Sequence, residues 1–194
     1  MGMPASAKRW TADEARQLQD EDRAWPRYEV IDGELLVTPS ARPVHQLCVG
    51  ELYFRLRTYV AATGVGVAMT SPADVELEPD TVVQPDVFVI SNRRVIRAWR
   101  EIERLILAIE VLSPGTERAD REKKPRFYAR TGVAEYWIVD AERRHVERWR
   151  PHDERPEVLD RQLVWHPAGA ADPLPIDLEA LFAYVFGEEP LAGA

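Results

Sequence analysis

Two acidic residues occupy comparable places in apolar, strand-like runs. Asp86 opens Val87-Phe-Val-Ile90, and Glu110 lies near the end of Leu105-Ile-Leu-Ala-Ile-Glu110-Val-Leu112. Among 25 basic residues, lysine occurs only at Lys8, Lys123 and Lys124, so a chain that otherwise chooses arginine sets a lysine pair downstream of the second acid. Lysine differs from arginine in being a compact point charge on a flexible stem. Side chains alternate faces along a strand, so Asp86 shares a face with Phe88 and Ile90, and Glu110 with Ile106, Ala108 and Leu112. If the two strands are neighbours, one register brings the carboxylates together. Like charges in a partly buried site are costly, and a divalent cation relieves that cost. Oxygen-only donors of this kind suit Mg²⁺ or Mn²⁺, with the backbone carbonyl of Val111 as a further ligand. Such a cation activates water and neutralises charge on a phosphorane, and a lysine beside it can orient hydroxide or bind phosphate. The set therefore points to metal-assisted cleavage of a phosphodiester.

Each residue alone has a plainer reading. Asp86 after Pro85 suits the start of a strand, and Glu110 can pair with an arginine. Other chemistries lack their signatures, since there is no Gly-x-Ser-x-Gly elbow, no Gly-x-x-x-x-Gly-Lys phosphate loop and no Gly-x-Gly-x-x-Gly fingerprint. Cys48 has no second thiol with which to bridge or build a zinc cluster, and reads as a core thiol on a helix. His145, His152 and His166 show no ligand spacing.

A net charge of −8 disfavours a protein that coats nucleic acid nonspecifically, although local basic groups occur. One comprises Arg93, Arg94, Arg97 and Arg100, interleaved with acids and read as solvated. A second comprises Arg118, Arg121, Lys123, Lys124, Arg126 and Arg130, beside the candidate site. No run of about eighteen apolar residues and no secretory apolar core is present, so no membrane span and a cytoplasmic location are expected.

The elements that must position these residues follow from periodicity and punctuation. Thr11-Ala-Asp-Glu14 caps a short helix from about Ala12. Tyr28 to Thr38 reads as a hairpin turning at Asp32-Gly33. Apolar residues at Val44, Leu47, Cys48, Leu52, Leu56, Tyr59 and Val60 predict a helix ending at Gly64. Strands are predicted over Val65–Met69, Ala73–Glu78, Val82–Ile90 and Leu105–Leu112. A helix from Thr116 to Gly132 should break near Lys124, because Pro125 cannot continue the hydrogen-bond ladder. Strands follow at Glu135–Asp140, Arg144–Arg150, Glu157–Leu159 and Gln162–Trp165, then a helix capped by Asp177. The order is a mixed α+β pattern whose most apolar strands carry the acids. The expected organisation is an N-terminal helical segment (1–27), one folded domain (28–186) and a flexible tail (187–194).

Gln84-Pro85-Asp86, Ile109-Glu110-Val-Leu-Ser-Pro114, Asp120-Arg121-x-x-Lys124-x-x-x-Tyr128-Ala129 and Gly132-Val-x-Glu-Tyr-Trp-Ile-Val-Asp140 together resemble the Uma-two family of restriction-endonuclease-like proteins, within the PD-(D/E)XK nuclease superfamily. The resemblance extends over roughly Tyr28 to Arg150. It implies an α+β restriction-endonuclease-like core, a central mixed β-sheet flanked by helices. It further implies DNA endonuclease activity with Mg²⁺ or Mn²⁺, Asp86 and Glu110 as metal ligands, and Lys124 as the catalytic lysine. The lysine expected two residues after the second acid is Leu112 here, so the ammonium has to come from the following helix, with Lys123 as the fallback. Glu34 and His45 match family positions: Glu34 as a third acid or a turn residue, His45 in proton transfer or phosphate binding, or as a capping residue. Arg118, Arg121 and Arg126 are the DNA-binding candidates, and homodimers are frequent in that superfamily. The rival reading is a catalytically silent protein that keeps the nuclease fold as a dimeric interaction or regulatory module.

Overall fold

The computed structural model describes residues 8–19, 26–91 and 96–188; the start through residue 7, Arg93 and Arg94, and residues 189–194 of the expected tail lie outside the described residues. Helix α1 (Ala12–Leu18) begins with the expected capping box between Thr11 and Glu14, and buries Ala12 and Ala15. Strands β1 (Arg27–Ile31) and β2 (Glu34–Thr38) form the hairpin. Asp32 and Gly33 both have positive φ, as a two-residue turn between right-twisted strands demands. Helix α2 (Pro43–Thr63) starts at a proline, which needs no N–H there, and stops at Gly64 in the left-handed conformation.

Among the described residues a six-stranded sheet runs in the order β3 (Val67–Thr70), β4 (Val87–Ile90), β5 (Leu105–Val111), β6 (Glu135–Asp140), β7 (His145–Trp149), β8 (Glu157–Leu159). Only β5 and β6 are parallel. A parallel neighbour requires a crossover. Helices α3 (Glu117–Glu122) and α4 (Lys124–Arg130) supply it, and Lys123 separates them at the predicted break before Pro125. A second hairpin, β9 (Gln162–Trp165) with β10 (Leu174–Asp177), leads into α5 (Leu178–Val185), whose first turn is capped by the Asp177 side chain.

The sheet is buried on both faces, which explains its nearly continuous apolar strands. On one face Cys48, Leu52, Leu56 and Val60 of α2 meet Val87, Val89, Leu107, Ile109 and Trp137, with α5 alongside. On the other, Phe127 and Tyr128 of α4 and Ile31 of β1 meet Phe88, Ala108 and Ile138. Cys48 is the core thiol expected, and burial pushes it up to about 12.

One predicted strand is absent. Despite alternating residues, Ala73–Glu78 makes only an isolated bridge, Val75 to Val83, and the strand predicted from Val82 begins at Val87. Pro72, Pro79 and Pro85 lack the N–H groups that a ladder needs. The segment still does structural work, because Val82 bridges to Val30 and fastens β1 to the approach to β4.

Backbone proximity fixes the entry to β3. A Cβ on Gly66 would lie 2.3 Å from the carbonyl oxygen of Ile90, whereas one on Gly50, in the exposed face of α2, would meet nothing within 4 Å. Gly66→Ala is expected to destabilise the protein by about 1–3 kcal/mol. Gly50→Ala should stabilise it by about 0.5–1 kcal/mol through helix propensity. Urea denaturation of the two variants beside the parent checks both signs.

Candidate active site

The antiparallel register of β4 and β5 pairs Phe88 with Ala108 and Val87 with Ile109. One step further, at the end of the ladder, Asp86 and Glu110 stand at opposed positions. They line the same small pocket and are 5 % and 4 % exposed. Their surroundings differ. Asp86 Oδ1 accepts from Arg27 Nη2 at 3.2 Å, and Oδ2 accepts from the backbone N–H of Val111 at 3.0 Å. His45 Nε2 lies 3.0 Å from Oδ2, and since a carboxylate only accepts, that nitrogen carries the proton. Burial opposes ionisation of Asp86, but the His45 ring, Arg27 and the Val111 amide outweigh it and hold the carboxyl below its ordinary range.

Glu110 has the opposite environment. Lys124 Nζ is 2.7 Å from Glu110 Oε1, 3.1 Å from Asp120 Oδ1 and 3.2 Å from Glu29 Oε1, and the lysine is 2 % exposed. Tyr128 Oη donates to Glu110 at 3.4 Å. Burial raises Glu110, Lys124 pulls it down, and the neighbouring Asp120, Asp86 and Glu29 push it up again, leaving it well above the usual range. Burial also opposes the charge on Lys124, but the three carboxylates prevail and its ammonium is held well above its ordinary pKa. Opposed strand positions thus carry one carboxyl tuned down and one tuned up.

Each position has a local cause. Alternation along β1 puts Arg27, Glu29 and Ile31 on one face, and the Val30–Val82 bridge turns that face toward the strand ends. Glu29 is fixed by accepting the backbone N–H of Gln84 at 2.8 Å. Asp120 and Lys124 are four residues apart, one helical turn across the α3–α4 break, so both point to the same side. His45, two residues after the proline that opens α2, reaches the pocket from the other face of the sheet.

Other sequence-predicted residues lie elsewhere. Glu34 and Lys123 pair with each other at side-chain exposures of 62 % and 26 %, and neither lines the acid pocket. The turn directs Glu34 to solvent, and it is Glu29, five residues earlier, that enters the cluster. Of the arginines, Arg118 pairs with Glu122, and Arg121 is committed to Glu117, Asp140 and Glu147, so Arg121 braces the crossover. Arg126 is exposed. Arg27, Glu29 and Asp120 are the cluster members that sequence reasoning did not assign. Their signals were the inward parity with Ile31 and the four-residue spacing to Lys124.

A family model, Uma2, described as "Putative restriction endonuclease", matches residues 12–173, a span that holds every residue of the cluster. The chain belongs to the Uma2 family. A crystal structure of a "putative nuclease belonging to DUF820" from Anabaena variabilis aligns with a TM-score of 0.70 at 24 % sequence identity, covering 90 % of this chain and 98 % of that one. That likeness establishes the fold, the α+β nuclease core with its mixed sheet between helices. No curated protein matches the chain. Among the described residues no helix is long and apolar enough to cross a membrane.

The donor set suits a hard cation. Glu29, Asp86 and Glu110 supply carboxyl oxygens to a pocket that also holds Lys124 and Arg27, and Asp120 pairs with Lys124 beside it. No group of three or more such residues among those described already stands in ligating geometry, so a cation would draw on two carboxylates and a carbonyl, with water completing its shell.

Removing the central ammonium tests the cluster. Lys124→Met leaves Glu29, Glu110 and Asp120 buried without their cation and is expected to cost about 3–5 kcal/mol. Lys123→Met, which breaks only a surface pair, should change stability by no more than about 0.5 kcal/mol. Equal urea midpoints for the two variants would refute the buried cluster.

Proposed function

We propose that this Uma2 protein is a metal-dependent endonuclease that hydrolyses DNA phosphodiester bonds. Asp86, Glu110 and the Val111 carbonyl would hold Mg²⁺ or Mn²⁺, and Lys124 is the catalytic lysine. The observation that carries this reading is the opposition of Asp86 and Glu110 across the end of adjacent strands, with the Lys124 ammonium 2.7 Å from Glu110. A bound divalent cation supplies Lewis-acid neutralisation of charge on the phosphate and lowers the pKa of water beside it.

The chain's own residues do the rest. Arg27, His45 and the Val111 amide fix the Asp86 carboxylate in its ionised form and in one orientation. Glu29 and Asp120 hold the Lys124 ammonium at the Glu110 side of the pocket, where it can orient a water or take a non-bridging phosphate oxygen. Glu110 is raised by burial and by its acidic neighbours, so a cation loaded there would displace the proton it holds, and metal binding would strengthen as pH rises. A DNA substrate, a homodimeric assembly and supporting contacts from Arg118 and Arg126 belong to the same proposal.

One observation favours a second reading, a catalytically silent nuclease fold used for interaction. Both Asp86 oxygens already have donors, and the acid pocket leaves about 20 Å³ free, roughly the space of one water. These donors take three of the four lone-pair sites of Asp86, so a cation would have to use the one left on Oδ1 within that small space or displace Arg27 or the His45 ring.

Titration with Mn²⁺ and Mg²⁺, read by calorimetry and by nicking of supercoiled plasmid, separates the two. The nuclease reading expects binding and nicking that EDTA abolishes, with Asp86→Asn and Glu110→Gln each slowing nicking by about a hundredfold or more. Nicking that persists at the parental rate in both variants would sink the assignment. Absence of both metal binding and nicking in the parent supports the silent module.

A further inference from the structure

Beside the acid pocket lies a much larger cleft, about 610 Å³, between the loop after β2, the start of α2, the loop after β5 and the β6–β7 turn. The two share a wall made by His45, Val111 and Ser113. The cleft opens at the carboxyl ends of the parallel strands β5 and β6, where open sheets containing parallel strands bind ligands. Its size is that of a pocket for a small organic group.

Its chemistry is divided. Pro39, Pro114 and Leu112 provide an apolar wall. Three acids face the cleft at its far side, Glu117, Asp140 and Glu142, and the first two are engaged by Arg121 and Arg143. On the near side Arg42 is exposed, and its guanidinium has no hydrogen bond or ion pair among the described residues. Arg42 is the N-cap of the 21-residue helix α2 and gives it no side-chain cap, so the first amides after Pro43, those of Val44 and His45, point their dipole toward the same mouth. His45 is 8 % exposed, and its Nδ1 has no hydrogen-bond partner. The cleft thus joins an unpaired guanidinium and an uncapped helix start to an apolar wall, with the His45 ring, whose Nδ1 is unsatisfied, in the wall it shares with the acid pocket.

The geometry points to this cleft as the subsite for the nucleotide adjoining the scissile phosphate. Arg42 and the opening amides of α2 hold that nucleotide's own phosphate, and Leu112, Pro39 and Pro114 pack its base. On the far wall Arg121 and Arg143 are spent on Glu117 and Asp140, and Glu142 adds a further acid, so among the described residues Arg42 is the cation left for the phosphate, fixing which way the strand enters. This inference rests on the nuclease reading.

The test is fluorescence anisotropy of a fluorescein-labelled DNA oligonucleotide with the full-length protein in EDTA over a salt series, alongside plasmid nicking in Mn²⁺. Arg42→Ala is expected to weaken binding about five- to tenfold and to reduce the slope of log K against log salt by about one, with Arg42→Lys restoring the slope. Ser40→Trp, which narrows the cleft from its exposed rim, should weaken binding while leaving the slope at the parental value. If the parent binds and nicks DNA but Arg42→Ala and Ser40→Trp match it in affinity and slope, the subsite is overturned and the nuclease reading stands. A parent that neither binds nor nicks overturns both.

Discussion

A lysine ammonium with almost no exposure, ringed by Glu29, Glu110 and Asp120, constrains everything around it. An ion buried that deeply costs several kcal/mol of hydration and is tolerable only when partners arrive from all sides. Here they come from β1, β5 and the end of α3, while the lysine itself opens α4. The hairpin, the central sheet and the crossover therefore cannot be rearranged independently. Side-chain length matters too. A guanidinium is broader and forked, whereas Nζ is a compact point that fits fully buried between three carboxylates in a pocket with room for about one water. That accounts for lysine at this position in a chain that otherwise uses arginine.

The division between the two opposed acids follows from which donors each can reach. Asp86 lies before the first residue of β4, at the open end of the ladder, where a side chain from α2, one from β1 and a free strand amide converge on it. Glu110 is still within β5 and looks across to α4, where tyrosines and acids surround it. Pairs of titratable groups pushed in opposite directions by their environments are a mark of acid–base function, although structural ion networks produce them as well.

Much of this was legible in the chain. The strand-like runs around Asp86 and Glu110, the Asp32-Gly33 turn, the Gly64 stop and the break before Pro125 are local signals, and local physics decides them. The facing of Asp86 and Glu110 needed only that β4 and β5 be neighbours, because parity then leaves few registers. Glu29 and Glu34 could not be separated that way. Both flank the same turn, and the difference lies in the long-range Val30–Val82 bridge, which selects the inward face of β1. Residues 73–78 failed for a related reason: their alternation is real and buries Val75, but prolines at both ends deny a ladder, so the period describes burial without describing a strand.

The crossover also explains why sites collect at this end of the sheet. Making β5 and β6 parallel brings the carboxyl ends of both strands out on one side, with the α3 start following β5 and the β6–β7 turn following β6. Helix α2, packed across the same sheet, begins at that end, so His45 and Arg42 sit beside the loops that leave the strands. Loops there are free of the ladder and can present amides, hydroxyls and charged groups without breaking core packing. The apolar body of the sheet supplies rigidity, and Arg121 ties the crossover to β6 and β7 through Asp140 and Glu147. An arginine expected on sequence grounds to touch DNA thus has its guanidinium engaged by three carboxylates that join the crossover to the sheet.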